Sequence, residues 1–239
     1  MGNRNNSHTI SHAENLFSGD AYQAGANSSG RGLPIRLTLD DNLGQPDALD
    51  ANGYAAAQAV AAAGNLTLNG ALVVAGIGVA DVARNVQILS TNAGDTAQTA
   101  TITGRDAYDA PVVERLVFNG TTPVSGSKSF KQVESIAISA ALTGNASAGT
   151  EDEVGLSYRV DDADDVDSAI EGGNAKVIGV GAGAITVADT TSPATAVTGD
   201  VRGTFNPSAA ADGTDELKLV YKPAGRNTVG AFGVPQFAG

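Results

Sequence analysis

The chain has 239 residues, 42% hydrophobic but only 5% aromatic, with 30 glycines, no cysteine and no tryptophan. Its formal net charge of −12 argues against a nucleic-acid-binding surface, and the absence of cysteine excludes disulfide staples and thiolate chemistry. This length can bury a real core in one large or two small β-domains, and the composition makes that core one of Val, Ile, Leu and Ala.

The charge is localised. Residues 151–171 hold nine acids and one base, and residues 40–50 hold Asp40, Asp41, Asp47 and Asp50. These windows account for the whole excess. Two readings stand: solvated loops, or an acidic outer surface that keeps a protein soluble at high copy number. The start, "MGNRNNSHTISH", has no apolar h-region, so no signal peptide is expected. It also misses the myristoylation pattern at Asn6. No apolar run is long enough to span a bilayer, and "ALVVAGIGVADVA" (71–83) reads as a buried strand pair.

In chain order, residues 1–32 read as an extended N-terminal arm, polar with isolated apolar residues, that cannot bury enough surface alone to offset its ordering entropy. It is either a disordered tail or an arm that orders on a neighbouring subunit. In the second case Phe17 and Tyr22 are its anchors, with Arg4, Arg31 and Arg36 along or just beyond it. A first β-rich part, residues 33–145, opens with the alternating strand "LPIRLTL" (33–39) and the loop "DDNLGQPDALDANGY". "AAAQAVAAAG" (55–64) is a short helix capped by Gly64 or an Ala-rich strand connection. "NLTLNGALVVAGIG" reads as a hairpin turning at Asn69-Gly70.

Strands "NVQILS" and "AQTATITG" follow, then "TITGRDAYDAPVVERLVFNG" (101–120), a hairpin around a polar turn. On its second strand Val112, Leu116 and Phe118 share a face with Glu114, and Val113 and Val117 share the other with Arg115. Two half-apolar faces predict cover on both sides. In "KSFKQVESIAIS" Phe130 is out of phase with Val133 but in phase with Ile136 and Ile138, which predicts a β-bulge near Lys131–Gln132. A second β-rich part, residues 146–239, carries the acidic window, a hairpin candidate "AKVIGVGAGAITVAD", the strands "VRGTF" and "ELKLVYK", and a C-terminal tail. That tail, with Phe232 and Phe237, is a closing strand or a docking peptide. The fold expected is all-β: an antiparallel β-sandwich or barrel-like core, with the extended arm and little helix, the two parts forming one sandwich or two.

No motif assembles a catalytic or metal site. His8 and His12 are spaced H-x-x-x-H but lack the Glu and the helix that zinc proteases need. Ser125-Gly-Ser-Lys128 matches S-x-x-K in a Gly-rich turn entering a strand rather than on a helical turn. The run Asp161, Asp162, Asp164, Asp165, Asp167 and Glu171 breaks the EF-hand spacing, leaving an irregular calcium site or a solvated acidic turn. "GVGAGA" (179–184) joins strand to strand and is not a phosphate loop. No catalytic residue, metal or cofactor is assigned, and no enzyme is expected.

The segment "ARNVQILS…GDTAQTATITGRDAYDAPVVERLVFNGTTPVSGSKSFKQVESIAIS", with "GLSYRVDD", "TTSPATAVTGDVRGTFNPS" and "FGVPQ" beyond it, resembles the head decoration, or cement, proteins of tailed bacteriophages. The likeness spans roughly residues 80–239 and rests on the order of elements. It departs at Asp109, after the turn Tyr108, where such relatives often carry glycine. It implies a β-rich virion protein on the outer capsid surface, often a trimer, that bridges major capsid protein subunits. Its partners would be that capsid protein and further copies of itself in a homotrimer or other homo-oligomer, with no nucleic acid, membrane or small-molecule substrate. Arg4, Phe17, Tyr22, Arg31, Arg36, Phe232 and Phe237 are the candidate contacts, because anchored aromatic and Arg side chains carry most interface energy. A tail or fibre component, and a secreted β-sandwich adhesin or carbohydrate-binding module, are the alternatives.

Overall fold

The computed structural model describes residues 39–177 and 183–221. Among these there is no α-helix, only a 3-10 turn at Ala163–Asp165 and fourteen strands, all paired antiparallel. The all-β expectation holds. The strands are β1 (Leu39–Gly44), β2 (Ala55–Ala59), β3 (Gly64–Asn65), β4 (Val73–Val74), β5 (Ile77–Ser90), β6 (Thr99–Arg105) and β7 (Pro111–Val117). They continue with β8 (Val124–Ile138), β9 (Asn145–Gly155), β10 (Val166–Glu171), β11 (Asn174–Val177), β12 (Ala184–Val187), β13 (Gly203–Asn206) and β14 (Leu217–Tyr221).

One sheet has ten strands, ordered β12-β13-β9-β5-β8-β6-β7, with β2 on β9, β3 on β8 and β4 on β5. It curls into a half-barrel. Inside the curl the alternation of β5, β6, β7 and β8 delivers Val86, Ile88, Ile102, Val112, Phe118, Phe130 and Ile136 to one core. The other sheet, β1-β14-β10-β11, packs on the β9–β13 end. There Leu217, Leu219 and Tyr221 meet Val154, Leu156 and Phe205 in a second core. Strands from both sequence parts therefore share the large sheet.

The expected bulge resolves into two register steps. Against β5, β8 passes from Gln132↔Val79 to Phe130↔Arg84, the extra residues lying on β5. Against β6, it passes from Ser135↔Thr103 to Val133↔Gly104, with Glu134 the extra residue. The two steps bring Phe130, Val133, Ile136 and Ile138 all inside. Gly104 is required there, because a side chain would collide with Gln132 O.

Of the two readings of 55–64 the strand holds, as β2 over 55–59, because β9 offers it a partner (Ala55↔Ala148, Gln58↔Ala146) and tertiary pairing overrides helix propensity. Four other local expectations are corrected. The tight turn of the next hairpin is Ala75-Gly76, not Asn69-Gly70. The N–H groups of Asn69 and Gly70 instead donate to Tyr54 O at 3.2 and 3.1 Å. Residues 71–83 do form a strand pair, but Val74 and Ile77 at its tip are exposed. The two flanks of 175–189 go to different sheets, β11 to the small one and β12 to the large one, so they are not one hairpin. Strand β1 also runs into the expected loop, as far as Gly44, because Asp40 and Asp41 pair with Val220 and Leu219. Residues 33–38 lie outside the described residues.

Candidate interaction surfaces

The 101–120 hairpin is covered on one face only. Ala100, Ile102, Val112, Glu114, Leu116 and Phe118 are buried. Opposite them Arg115 and Val117 are exposed, and Thr99, Thr101, Thr103 and Val113 are half-buried. The expectation of cover on both sides fails within the chain. The second sheet packs elsewhere, and residues 188–202 reach strand β7 through a single backbone bond, Arg115 N–H to Ala196 O at 2.7 Å.

Those residues form a strap tied across the start of β8. Its ends are joined by Asp189 N–H to Asp200 O (2.8 Å) and Gly199 N–H to the Asp189 carboxylate (2.8 Å). Beneath it lies a seam of buried charge. Asp200 Oδ2 accepts from Ser129 N (3.1 Å) and Ser129 Oγ (2.9 Å), and the fully buried Lys128 donates from Nζ to Thr195 O at 2.8 Å. Glu114 Oε1 accepts from Ser127 N (2.6 Å), Ser127 Oγ (3.0 Å) and Lys128 N (3.2 Å). It serves the β8 backbone where the register with β5 slips and ladder partners are lost. Gly126 leaves room for this carboxylate, since a Cβ there would strike Glu114 Oε2. Burial raises the Glu114 carboxyl above its ordinary value, opposed by the Ser127 and Lys128 hydrogen bonds. Burial likewise lowers Lys128, opposed by Glu114, Asp200 and Asp189. Asp189 is held low mainly by its hydrogen bonds to Thr191.

The polar turn of the hairpin continues the seam. Asp106 accepts from Tyr108 N (2.8 Å) and Ala110 N (2.9 Å) through Oδ1. Its Oδ2 pairs with Arg202 Nη2 at 2.7 Å, the two side chains 0% and 2% exposed. The Arg202 guanidinium lies 5.0 Å from the centroid of the Tyr108 ring, and Tyr108 OH donates to Ser157 O at 2.7 Å. The turn therefore docks onto its own chain.

This geometry is built for rigidity. Ser125 Oγ bonds to Glu151 (2.6 Å) while Lys128 reaches Thr195 O, so the S-x-x-K pair is pulled to separate partners. In the acidic window Glu151, Asp152 and Glu153 belong to β9, and Asp161 pairs with Arg159 at 2.8 Å. Among the described residues no group of three or more His, Asp or Glu side chains is placed to hold a metal ion. The side chains of Asp164 and Asp167 lie outside that set. So do Arg4, His8, His12, Phe17, Tyr22, Arg31, Arg36, Phe232 and Phe237.

Seven large hydrophobic residues are also exposed among those described: Leu49, Val74, Ile77, Tyr108, Val117, Val187 and Val197. None was singled out as a contact from sequence. The signal that could have found Val74 and Ile77 is the uncharged run around them, residues 51–80. The chain matches no protein-family model, no curated protein and no solved structure at a significant level.

Proposed function

We propose that this protein is a structural component of a tailed-phage virion. It binds the outer surface of the capsid and stabilises the shell by bridging major capsid protein subunits, as a homotrimer or another homo-oligomer. The observation that carries this reading is the strap-and-seam construction. A buried ion pair and a fully buried lysine brace an all-β scaffold, and exposed apolar side chains supply contact surface. A protein whose work is to brace needs stable sheets and surfaces for many weak contacts that add through avidity. The phage assignment comes from the sequence resemblance, which spans roughly residues 80–239.

The test is co-sedimentation of the purified chain with expanded capsid shells. Binding is expected, and deletion of residues 1–32 should weaken it while leaving a cooperative β-fold. A chain that stays in the supernatant at all shell concentrations would remove the reading.

A further inference from the structure

Residues 51–80 are thirty consecutive positions without a charged side chain, in a chain that carries 14 basic and 26 acidic residues. They fold as one connected unit. Asn69 and Gly70 donate to Tyr54 O, Leu72 N–H donates to Gly53 O at 2.8 Å, and the Gln58 amide clips the Thr67 backbone in both directions at 2.9 and 3.0 Å. From this unit the β4–β5 hairpin projects. Its turn, Ala75-Gly76, has positive φ at both residues (52° and 84°), a primed turn that matches the strand twist. It sets the paired residues Val74 and Ile77 at the tip, 66% and 36% exposed. Polar Asn-Gly or Asp-Gly would suit such a turn better; here the tip is apolar throughout.

We propose that copies of this chain meet through this hairpin face. The proposal rests on the homo-oligomer part of the function above and names the surface that serves it. The argument is electrostatic. The net charge of −12 is concentrated in residues 40–50 and 151–171, so two copies meeting through either window set like charge against like charge, which interfaces exclude. Contact through 51–80 sets uncharged residues together, with Asp50, Asp81 and Lys131 at its border, and interface cores are depleted in charged residues. A basic partner would find its complement in the acidic windows and none on this face. Val117 and Val197 are also exposed, but they flank the exposed, charged Arg115, whose N–H bonds Ala196 O, so their surface is not uncharged.

The test is sedimentation equilibrium of the full chain over a concentration series at low and high salt. Self-association is expected, and it should strengthen with salt as the mutual repulsion is screened. The double variant Val74→Asp/Ile77→Asp should weaken it by roughly 100-fold or more, the loss expected of truncated interface anchors. Val197→Asp should associate as the wild type does. Circular dichroism and the urea midpoint check folding; if the double variant does not fold, Ala71→Glu on the same hairpin takes its place. Wild-type chain that remains monomeric throughout overturns the proposal. Unchanged association of the hairpin variants also overturns it, and assigns the homo-oligomer to another face. A monomeric wild type whose hairpin variants lose binding to capsid shells would give the face to the shell instead, leaving the shell-binding function standing.

Discussion

Two regions of this molecule reverse the usual placement of polar and apolar groups, in opposite senses. Under the strap, Glu114, Lys128, Asp106 and Arg202 are buried on strands and turns where solvent would suit them better. In residues 51–80, Val74 and Ile77 stand in solvent with no charge within the run. Charge taken out of water is costly unless paired and hydrogen-bonded; the seam meets that condition at Asp106 and at Glu114 Oε1, while Glu114 Oε2 and Arg202 Nη1 are buried without a hydrogen-bond partner. Apolar surface left in water has no such internal remedy. The difference separates two tasks: the seam fixes the fold, and the hairpin is available to something outside the folded chain.

The sharpest way to break this division is to cut the seam. Arg202→Ala leaves Asp106 buried without its partner and should cost about 3–5 kcal/mol of stability, read from urea denaturation. It should also release the Tyr108 ring, visible in near-ultraviolet circular dichroism. A cost within the range of an ordinary surface substitution would show that the seam does not hold the two parts together.

Glu114 sharpens the same point through pH. Its carboxyl is raised by burial above the ordinary 4.5, so the native state favours the protonated form. That contribution is fully present below the ordinary value and is lost as pH rises through the raised native one. Glu114→Gln cannot ionise. Its stability relative to wild type should therefore improve from pH 4 to pH 8, against a constant loss of about 1–3 kcal/mol for the weakened bonds to Ser127 and Lys128. Urea midpoints across that range check it, and a wild-type-minus-variant difference independent of pH would contradict it. Asp95, held low mainly by its hydrogen bond from Ser90, runs the other way: its contribution is present above the ordinary 3.8 and fades as pH falls below it.

On the hairpin side the expected stability changes are smaller. Ala75→Gly removes the left-handed penalty of an alanine at φ 52° and should raise stability by about 1 kcal/mol, measured by the same denaturation. Val74→Asp/Ile77→Asp sets two carboxylates opposite each other on the β4–β5 pair, so it should cost about 1 kcal/mol, well below Arg202→Ala. The contrast with Arg202→Ala is the comparison in numerical form.

Much of the large sheet was legible in the sequence. Alternation in 85–90, 97–104, 112–118 and 128–139 marks most of β6 to β8 and the end of β5, because one wet or half-wet face leaves a period of two; β8 begins earlier, at Val124, in what reads as a turn. Alternation even placed Glu114 among apolar neighbours. Its partners could not be read, because Ser127 and Lys128 approach it only through the curl of the sheet. The alanine-rich 55–59 stretch was ambiguous for a related reason: alanine carries little shape information, and β9 decides its conformation. The turn at Ala75-Gly76 was missed because Asn69-Gly70 offered the stronger local signal. The candidate contacts taken from the arm and tail rested on aromatic spacing there; the apolar tip at Val74 and Ile77 is marked by missing charge instead.

The most direct measurement of the central claim, that the seam folds and the hairpin binds, sets urea midpoint beside sedimentation mass for Val74→Asp/Ile77→Asp and wild-type chain. The account predicts a cooperative transition with only a small drop in midpoint, from the two opposed carboxylates, and the assembled mass falling to that of a single chain. An unchanged mass, or a loss of mass that comes only with a loss of folding, would contradict it.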